Sequence, residues 1–299
     1  MNKAALKDMT TIVVRLTLTC LVAAFVMGLT FFLTHDAKEK NEQLREERVM
    51  YGILGYDKKH PAPDTMVLNT VYRYVVTKGE QQSIAYVLPE KSGKNIYVEL
   101  DLSGNFVTKM DLPIDAVKIR NRGERDAVVH KVSGADEVRY ADNVIIVTDK
   151  GERAAYILDG IYPGFKTTIR VKMALDAQFT MLGFEVLEHE EDPGLGGEIE
   201  QKWFRGQFEG KTAQQLQDTN VVRLAMPDDF RRALEGKIKG EDADKIRAEH
   251  RADDIYALTG ATISSRAVLE GNKSMVRKFV YRIQVLDKAL SSQNISSNF

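Results

Sequence analysis

The chain has 299 residues, in which 42 lysines and arginines nearly balance 43 aspartates and glutamates. This length allows one or two domains with a sizeable core, and the balanced charge gives no reason to expect a nucleic acid partner. Cys20 is the only cysteine, which excludes an internal disulfide, an all-cysteine iron–sulfur cluster and a CxxCH haem site. The five histidines lack the spacing of metal ligands, so we expect no metal site.

Residues 12–33 form a strongly apolar run, with about 18 uncharged residues from Leu16 onward. That length predicts one membrane-spanning helix, and Arg15 can reach the headgroups from its first turn. A cleaved signal peptide is the alternative, but the run is long for one and no clear small-x-small cleavage site follows it. Lysines and arginines lie on both sides of the run, so the positive-inside rule leaves the orientation open.

A charge-dense segment follows the apolar run. Leu44 is almost the only apolar side chain between residues 35 and 48, which indicates a solvated juxtamembrane helix or stalk. Pro61 and Pro63 then mark a break before the folded part of the chain.

Residues 67–158 alternate short apolar runs with turn signals. The runs are rich in β-branched and aromatic residues, as β-strands are. Residues 103–105 (Ser-Gly-Asn) and 149–152 (Asp-Lys-Gly-Glu) have the composition of hairpin connections. We interpret this part as a β-rich structural subdomain, because nothing in it carries recognisable chemistry. The predicted strands are residues 71–76, 84–88, 96–102, 106–110, 144–148 and 154–158.

A further predicted strand pair, residues 168–175 and 181–187, leads into a loop rich in glycine. Its proline and three glycines predict a tight, exposed turn in which backbone N–H groups can face a ligand. Taken alone, such a loop is also compatible with an ordinary turn. The loop reads His189-Glu190-Glu191-Asp192-Pro193-Gly194-Leu195-Gly196-Gly197.

The stretch with the most chemical content lies near the C-terminus. Four small residues, Thr-Gly-Ala-Thr at positions 259–262, precede a predicted helix over residues 265–290, with Ser264 and Ser265 as candidate N-caps. A helix N-terminus favours an anion such as phosphate, and Gly260 lets the backbone approach it closely. On spacing alone, a plain turn with a capped helix is the favoured interpretation. The stretch matches no common glycine-rich phosphate loop, and a nucleophilic Thr262 would need a base that is not visible locally.

Residues 258–264, Leu-Thr-Gly-Ala-Thr-Ile-Ser, closely resemble the flavinylation motif Ser/Thr-Gly-Ala-Thr-x-Ser/Thr. That motif belongs to the FMN-binding subunits of two membrane redox complexes, the Rnf complex (its G subunit) and the sodium-translocating NADH:quinone reductase (its C subunit). The loop at residues 189–196 is similar to the His-x-Glu-Thr/Asp-Pro-Gly-Leu-Gly loop upstream of the flavin threonine in the same family. One position departs from the motif, because Tyr256 stands where the family usually has an acidic residue. Asp253 and Asp254 lie just upstream.

The resemblance implies that Thr262 carries FMN through a phosphoester that a separate flavin transferase installs. It also implies that the loop and the small residues flank the cofactor, with His189 and Glu190 as candidates for shaping the pocket. No catalytic residue is implied, because substrate oxidation belongs to partner subunits. The implied cofactor-binding residues are Thr259, Gly260, Ala261, Thr262, Ser264, Ser265, His189, Glu190, Pro193, Gly194, Leu195 and Gly196.

We therefore expect an α+β protein, with one N-terminal transmembrane helix followed by an extracytoplasmic FMN-binding domain of antiparallel sheet and packed helices. The resemblance places it in the bacterial inner membrane with the main domain on the periplasmic side. The expected segments are a tail and transmembrane helix (1–35), a charged stalk (36–60), a β-rich subdomain (61–160), the FMN-binding domain (161–290) and a flexible tail (291–299).

The expected function is electron relay within an ion-translocating complex of the Rnf type. Its partners would be other membrane subunits, the flavin transferase and the lipid bilayer. The loop sequence Glu-Glu-Asp-Pro-Gly-Leu-Gly and the single span favour the Rnf type. The FMN-binding subunit of the quinone reductase stays an alternative. A membrane-anchored binding or sensor module without a redox role is the other alternative, and the β-rich middle of the chain suits it.

Overall fold

The computed structural model describes residues 3–115 and 117–299, except for the side chains of residues 3–8, 10, 36–37, 39–40 and 42–43. The first two residues of the predicted N-terminal segment thus lie outside the described residues. The chain divides into two compact units, Met1–Val49 and Met50–Phe299.

The first unit consists of most of helix α1 (Lys3–Ile53). Within the described residues, one stretch is long and apolar enough to cross a membrane, Thr11–His35, with a mean hydropathy of 2.3 over its window. Three threonine hydroxyls in or beside this stretch donate to the carbonyl four residues earlier, as Thr30 does to Val26 at 2.8 Å. These bonds satisfy polar groups that lipid could not. The predicted apolar helix is confirmed, and it continues through the charged segment without a break.

The second unit is built on one antiparallel sheet of eight strands, in the order β4-β3-β2-β1-β5-β6-β7-β8. Neighbouring strands in the chain pair as hairpins except at β4 to β5, where helix α2 (Arg122–Ser133) crosses back so that β5 lies beside β1. The strands are β1 (Met66–Lys78), β2 (Gln81–Pro89), β3 (Asn95–Asp101), β4 (Phe106–Leu112), β5 (Glu137–Asp149), β6 (Glu152–Pro163), β7 (Thr168–Asp176) and β8 (Met181–Glu188).

Four short helices follow the sheet before the chain reaches its last long helix. This region also contains a small parallel pair of strands, with β9 (Val221–Val222) after the second of these helices and β10 (Ile255–Tyr256) after the fourth. The helices are α3 (Lys202–Arg205), α4 (Ala213–Asp218), α5 (Asp228–Leu234) and α6 (Glu241–Glu249), and the last long helix is α7 (Thr262–Ser292).

The two faces of the sheet carry different cores because successive strand residues point to opposite sides. On one face, Val71, Tyr86 and Val98 belong to the main core, which includes Val276, Phe279, Ile283 and other residues of α7. On the other face, Tyr74, Val76 and Tyr97 pack with Val129 of α2. A smaller cluster on that second face joins Val147 and Ile157 to Met50, Ile53 and Leu54.

Charged pairs also fasten α7 to the sheet. Arg153 of β6 makes a two-pronged contact with Asp287, at 2.6 and 2.7 Å. Asp142 of β5 accepts from both Arg73, at 2.5 and 2.8 Å, and Arg282, at 3.0 Å. These charged pairs hold the C-terminal half of the long helix against the sheet.

Two predicted segment limits differ from the structure. The limit between residues 160 and 161 falls inside β6, so strands from both predicted segments pair in one continuous sheet. The last residues, which we expected to be a flexible tail, are hydrogen-bonded to the sheet. The N–H of Asn298 donates to the carbonyl of Pro89 at 3.0 Å, and its side chain donates to Asn69 at 2.9 Å. Ile295 and Phe299 pack on the main core, and this apolar contact explains why the tail is ordered.

Candidate functional site

The turn that leads into α7 combines exposed and buried small residues. The chain leaves β10, passes through exposed Thr259 and Gly260, and enters α7 at Thr262, which is half-buried. Gly260 has φ of +75°, a conformation that favours glycine. Leu258 and Ala261 are buried and anchor the turn to the core, so the turn presents residues 259, 260 and 262 at the surface.

The prediction that Ser264 or Ser265 caps α7 is wrong. The helix begins at Thr262, its N-cap position is Ala261, and no side chain caps it. Ser265 is fully buried in the first turn, where its hydroxyl donates to the carbonyl of Ala261 and accepts the N–H of Leu258, both at 3.0 Å. Both serines thus hold the turn from within, and the leading N–H groups of α7 keep the anion-binding capacity of an uncapped helix N-terminus.

The glycine-rich loop lies against this turn. Gly196 is so close to the first turn of α7 that a Cβ on it would lie 2.6 Å from the Ser264 hydroxyl. A Cβ on Gly260 would similarly lie 3.1 Å from the Leu195 side chain. The structure therefore brings together the two motifs that the sequence separates by more than 60 residues. Pro193 and Gly194 are exposed within the loop, and the amides of Leu195 and Gly197 both bond to the carbonyl of Asp192.

His189 and Glu190 have different environments. The ring Nδ1 of His189 accepts the N–H of Glu191 at 3.0 Å, and its Nε2 lies 3.0 Å from Oε1 of Glu200. Since Nδ1 is an acceptor, Nε2 carries the proton and donates to Glu200. His189 thus braces the start of the loop, while the side chain of Glu190 is exposed.

Glu191, the glutamate of the loop motif, is a site residue that we did not include among the implied cofactor-binding residues. Its carboxylate is buried and accepts the N–H of Phe165 at 2.7 Å, the N–H of Lys166 at 3.3 Å and the hydroxyl of Ser264. The signal for it in the sequence was its place in the loop motif, but its partners lie in other segments.

A buried lysine supports the segment that precedes the turn. Lys211 is 1% exposed, and its Nζ donates to the carbonyls of Arg251 and Asp253 at 2.7 and 2.6 Å. Burial lowers the pKa of Lys211. This ammonium group ties residues 251–253 to the edge of the sheet, because the backbone of Lys211 bonds to Met181 of β8.

Tyr256, the position that departs from the family motif, is linked to a carboxylate. Its hydroxyl donates to Asp253 at 3.0 Å, and the same carboxylate oxygen lies 2.7 Å from Nδ1 of His250. Burial and this hydrogen bond raise the pKa of Tyr256. Asp254 accepts the N–H of Asn220 at 2.7 Å, so of the two upstream acids it is Asp253 that lies at the tyrosine.

The exposed surface around Thr262 fits a group with a phosphate and an apolar ring. Uncapped helical N–H groups suit the phosphate, and the exposed Gly194 and Gly260 leave room for close approach. Two apolar side chains of the motifs are exposed, Leu195 (46%) and Ile263 (62%). A flavin mononucleotide has both features, so the residues present fit it.

Comparison with known proteins supports this fit. Residues 164–277 match the family model of the FMN-binding domain, a range that contains both motifs. The chain is 30% identical over 130 residues to the G subunit of the proton-translocating ferredoxin:NAD(+) oxidoreductase complex of Clostridium ljungdahlii, covering 43% of this chain and 56% of that one. It is also 30% identical over 132 residues to the C subunit of the Na(+)-translocating NADH-quinone reductase of Pseudomonas aeruginosa, covering 44% of each.

Among solved structures, the chain is similar to the C subunit of the Na(+)-translocating NADH-quinone reductase of Parabacteroides distasonis. The identity is 17%, the TM-score is 0.34, and the match covers 69% of this chain and 77% of that one. The chain spans about half the length of the two curated relatives named above. The resemblance to the G and C subunits of the two redox complexes is confirmed, since residues 164–277 match the family model of the FMN-binding domain and the two relatives named above are subunits of these kinds.

Proposed function

We propose that this chain is a membrane-anchored flavoprotein subunit of an ion-translocating electron transport complex, and that FMN is bound covalently to Thr262. The observation that carries the proposal is which of the four hydroxyls in the turn are buried and hydrogen-bonded and which are not. Those of Ser264 and Ser265 are buried and hydrogen-bonded, whereas the side chains of Thr259 and Thr262 make no hydrogen bond within the described part of the chain. Of these two threonines, Thr262 is the one at the helix N-terminus.

Attachment of FMN to this hydroxyl balances as a phosphoryl transfer. The Thr262 oxygen forms a bond to the FMN phosphorus of a flavin adenine dinucleotide, the phosphoanhydride bond breaks and adenosine monophosphate leaves. The hydroxyl proton passes to a base on the flavin transferase, since the described residues place none at Thr262. The resulting phosphodiester carries one negative charge, which the N-terminus of α7 stabilises by about 0.3–1 kcal/mol.

The protein's remaining role is to hold the cofactor in place. When bound, FMN supplies electron transfer in one- or two-electron steps, while the chain supplies attachment and orientation. Leu195 and Ile263 offer apolar surface beside the attachment point, and the exposed Gly194 and Gly260 keep the approach open. Gly196 gives room instead to Glu191 and Ser264. The proposed pocket also includes Thr259, Ala261, Pro193 and Gly194, with His189 and Glu190 at its edge.

The apolar helix and the relatives support a setting in a bacterial inner membrane, with the stretch Thr11–His35 as the anchor. We place the main domain on the periplasmic side, as the family resemblance implies. Its partners are the other membrane subunits, the flavin transferase and lipid. We favour the Rnf type because the loop sequence Glu-Glu-Asp-Pro-Gly-Leu-Gly fits the Rnf subunit. The corresponding subunit of the quinone reductase is the alternative. Co-purification separates the two, since only the Rnf type brings down a ferredoxin-linked iron–sulfur subunit.

The test is to express the full chain together with a flavin transferase, denature it, and measure flavin fluorescence in the gel and intact mass. The wild type and the matched control Thr259→Ala should show a fluorescent band and the mass of one added FMN, and Thr262→Ala should show neither. A dark wild-type band of unmodified mass would contradict covalent attachment and favour the binding-module alternative.

A further inference from the structure

The carboxylate of Glu191 joins three segments that are distant in the chain. It is 4% exposed. One oxygen, Oε1, accepts the N–H groups of Phe165 and Lys166 in the turn between β6 and β7, at 2.7 and 3.3 Å. The other oxygen, Oε2, accepts the hydroxyl of Ser264 in the first turn of α7. Since Glu191 itself begins the glycine-rich loop, its single side chain fixes that loop, the β6–β7 turn and the helix N-terminus together.

Two glycines form the space that this carboxylate occupies. A Cβ on Gly164 would lie 2.5 Å from Oε1, and a Cβ on Gly196 would lie 2.6 Å from Oε2. Neither glycine has a positive φ, so their lack of a side chain is needed here for room rather than for backbone conformation. The two sides of the carboxylate are thus enclosed by backbone that only glycine provides.

At the start of α7, the contact between Glu191 and Ser264 uses one hydrogen-bond donor and leaves the others available. Glu191 takes the hydroxyl of Ser264 and leaves the leading backbone N–H groups of the helix without a side-chain acceptor. Ser264 lies two residues after Thr262, on the same helical turn. A shift of Ser264 would therefore move the Thr262 hydroxyl and the N–H groups beside it as one body.

We propose that Glu191 is a positioning residue for flavin attachment, which holds Ser264 so that the Thr262 hydroxyl faces the flavin transferase and its phosphorus donor in a reactive orientation. This inference rests on the proposed function. The step itself is the one described above: an oxygen–phosphorus bond forms at Thr262, a phosphoanhydride bond breaks and adenosine monophosphate leaves. Misplacement of a reacting group by about 1 Å can lower a rate by about 100-fold, so a lost positioning contact should be visible in kinetics.

The experiment measures the rate of flavin incorporation into the full chain, produced without transferase and then mixed with purified transferase and flavin adenine dinucleotide. Glu191→Ala and Ser264→Ala should each lower the maximal incorporation rate about tenfold or more, with little change in the transferase's KM for the chain. The double variant should be no slower than the slower single variant, because both changes remove the same contact. Glu191→Gln, which can still accept both backbone N–H groups, should recover part of the rate.

Two control variants separate positioning from a general loss of structure. Glu188→Gln changes an exposed carboxylate three residues earlier in the chain, outside the proposed pocket, and should keep the wild-type rate. Val129→Ala, in the core on the opposite face of the sheet, should lower the thermal stability yet leave incorporation unchanged. Where Glu191→Ala fails to fold, Ser264→Ala still tests the contact, since it removes only one hydroxyl.

The experiment distinguishes a failure of the proposed function from a failure of the inference about Glu191. A wild-type chain that takes up no flavin would overturn the proposed function and this inference with it. A wild-type chain that takes up flavin, with Ser264→Ala and the folded Glu191 variants at the wild-type rate, would overturn the inference alone. Additive losses in the double variant would likewise contradict the view that the two residues act through one contact.

Discussion

The side-chain amide of Gln207 pairs with the backbone of Tyr256 in both directions. Its Oε1 accepts the N–H of Tyr256 at 2.7 Å, and its Nε2 donates to the Tyr256 carbonyl at 3.3 Å. Gln207 is 5% exposed. Its amide gives the backbone of β10, away from water, the hydrogen bonds that a neighbouring strand would otherwise provide. The segment that leads to Thr262 is therefore fixed by a side chain from the region after β8.

Gln207→Leu should lower the free energy of unfolding by about 1–3 kcal/mol, because it leaves a buried N–H and a buried carbonyl without their partner. Urea unfolding followed by circular dichroism measures the change. Gln214→Leu, which removes an exposed glutamine bonded to Asp218, should stay within about 0.5 kcal/mol of the wild type. Equal effects of the two changes would contradict the role given to Gln207.

Ser265→Ala should also destabilise the domain by about 1–3 kcal/mol, since the N–H of Leu258 would be left without an acceptor in a fully buried site. Ser292→Ala, the same change at the other end of α7, is the matched control and should have little effect because Ser292 is exposed. Hydrogen exchange at the Leu258 amide gives the local measurement. Protection of that amide in Ser265→Ala equal to the wild type would show that the hydroxyl does not hold the turn.

Glu99, on the strand β3 far from the site, predicts a pH dependence of stability. Burial raises the pKa of its carboxyl, but hydrogen bonds from Ser83, Lys78 and Tyr97 outweigh burial, and the pKa lies below its ordinary value of 4.5. Because the pKa is lower in the folded chain, the carboxylate's contribution is complete above about pH 4.5 and is lost as the pH falls through the folded value.

Glu99→Gln should therefore be less stable than the wild type by about 1–3 kcal/mol at pH 7, and the difference should shrink below pH 4.5. Denaturant unfolding at several pH values measures it, with exposed Glu80→Gln as the control. A difference that stays constant down to pH 3 would contradict the lowered pKa.

Most of the sheet could be predicted from local sequence, and α2 could not. Runs of β-branched and aromatic residues between turn signals gave the positions of the central strands, since this pattern depends only on near neighbours. Helix α2 was not predicted because one of its buried side chains is Arg125, and a charged residue at a buried position interrupts the apolar periodicity of a helix. That guanidinium lies 3.8 Å from the Tyr72 ring centroid and donates to the Tyr74 hydroxyl at 2.7 Å, partners that only the folded sheet provides.

The candidate site was predictable as two motifs but not as one arrangement. The order of the motifs and their glycines indicated a cofactor surface, and the structure places them side by side. The serines were misjudged because a hydroxyl near a helix start predicts a cap, whereas Leu258 and Glu191 engage these hydroxyls inside the turn. The contributions of Glu191, Gln207 and Lys211 depend on contacts across 40 to 73 positions of the chain. No local pattern indicates these contacts, although Glu191 itself belongs to the loop motif.

The measurement that tests the central claim most directly is the site of flavin attachment. Cleavage after Arg251 and Arg266 releases residues 252–266, a peptide that contains Thr259, Thr262 and both serines. Fragmentation of this peptide by mass spectrometry, from the chain matured with a flavin transferase, assigns the added mass to one residue. We predict one FMN on Thr262 and none on its neighbours. An unmodified peptide, or FMN on Thr259 or Ser264, would contradict the assignment.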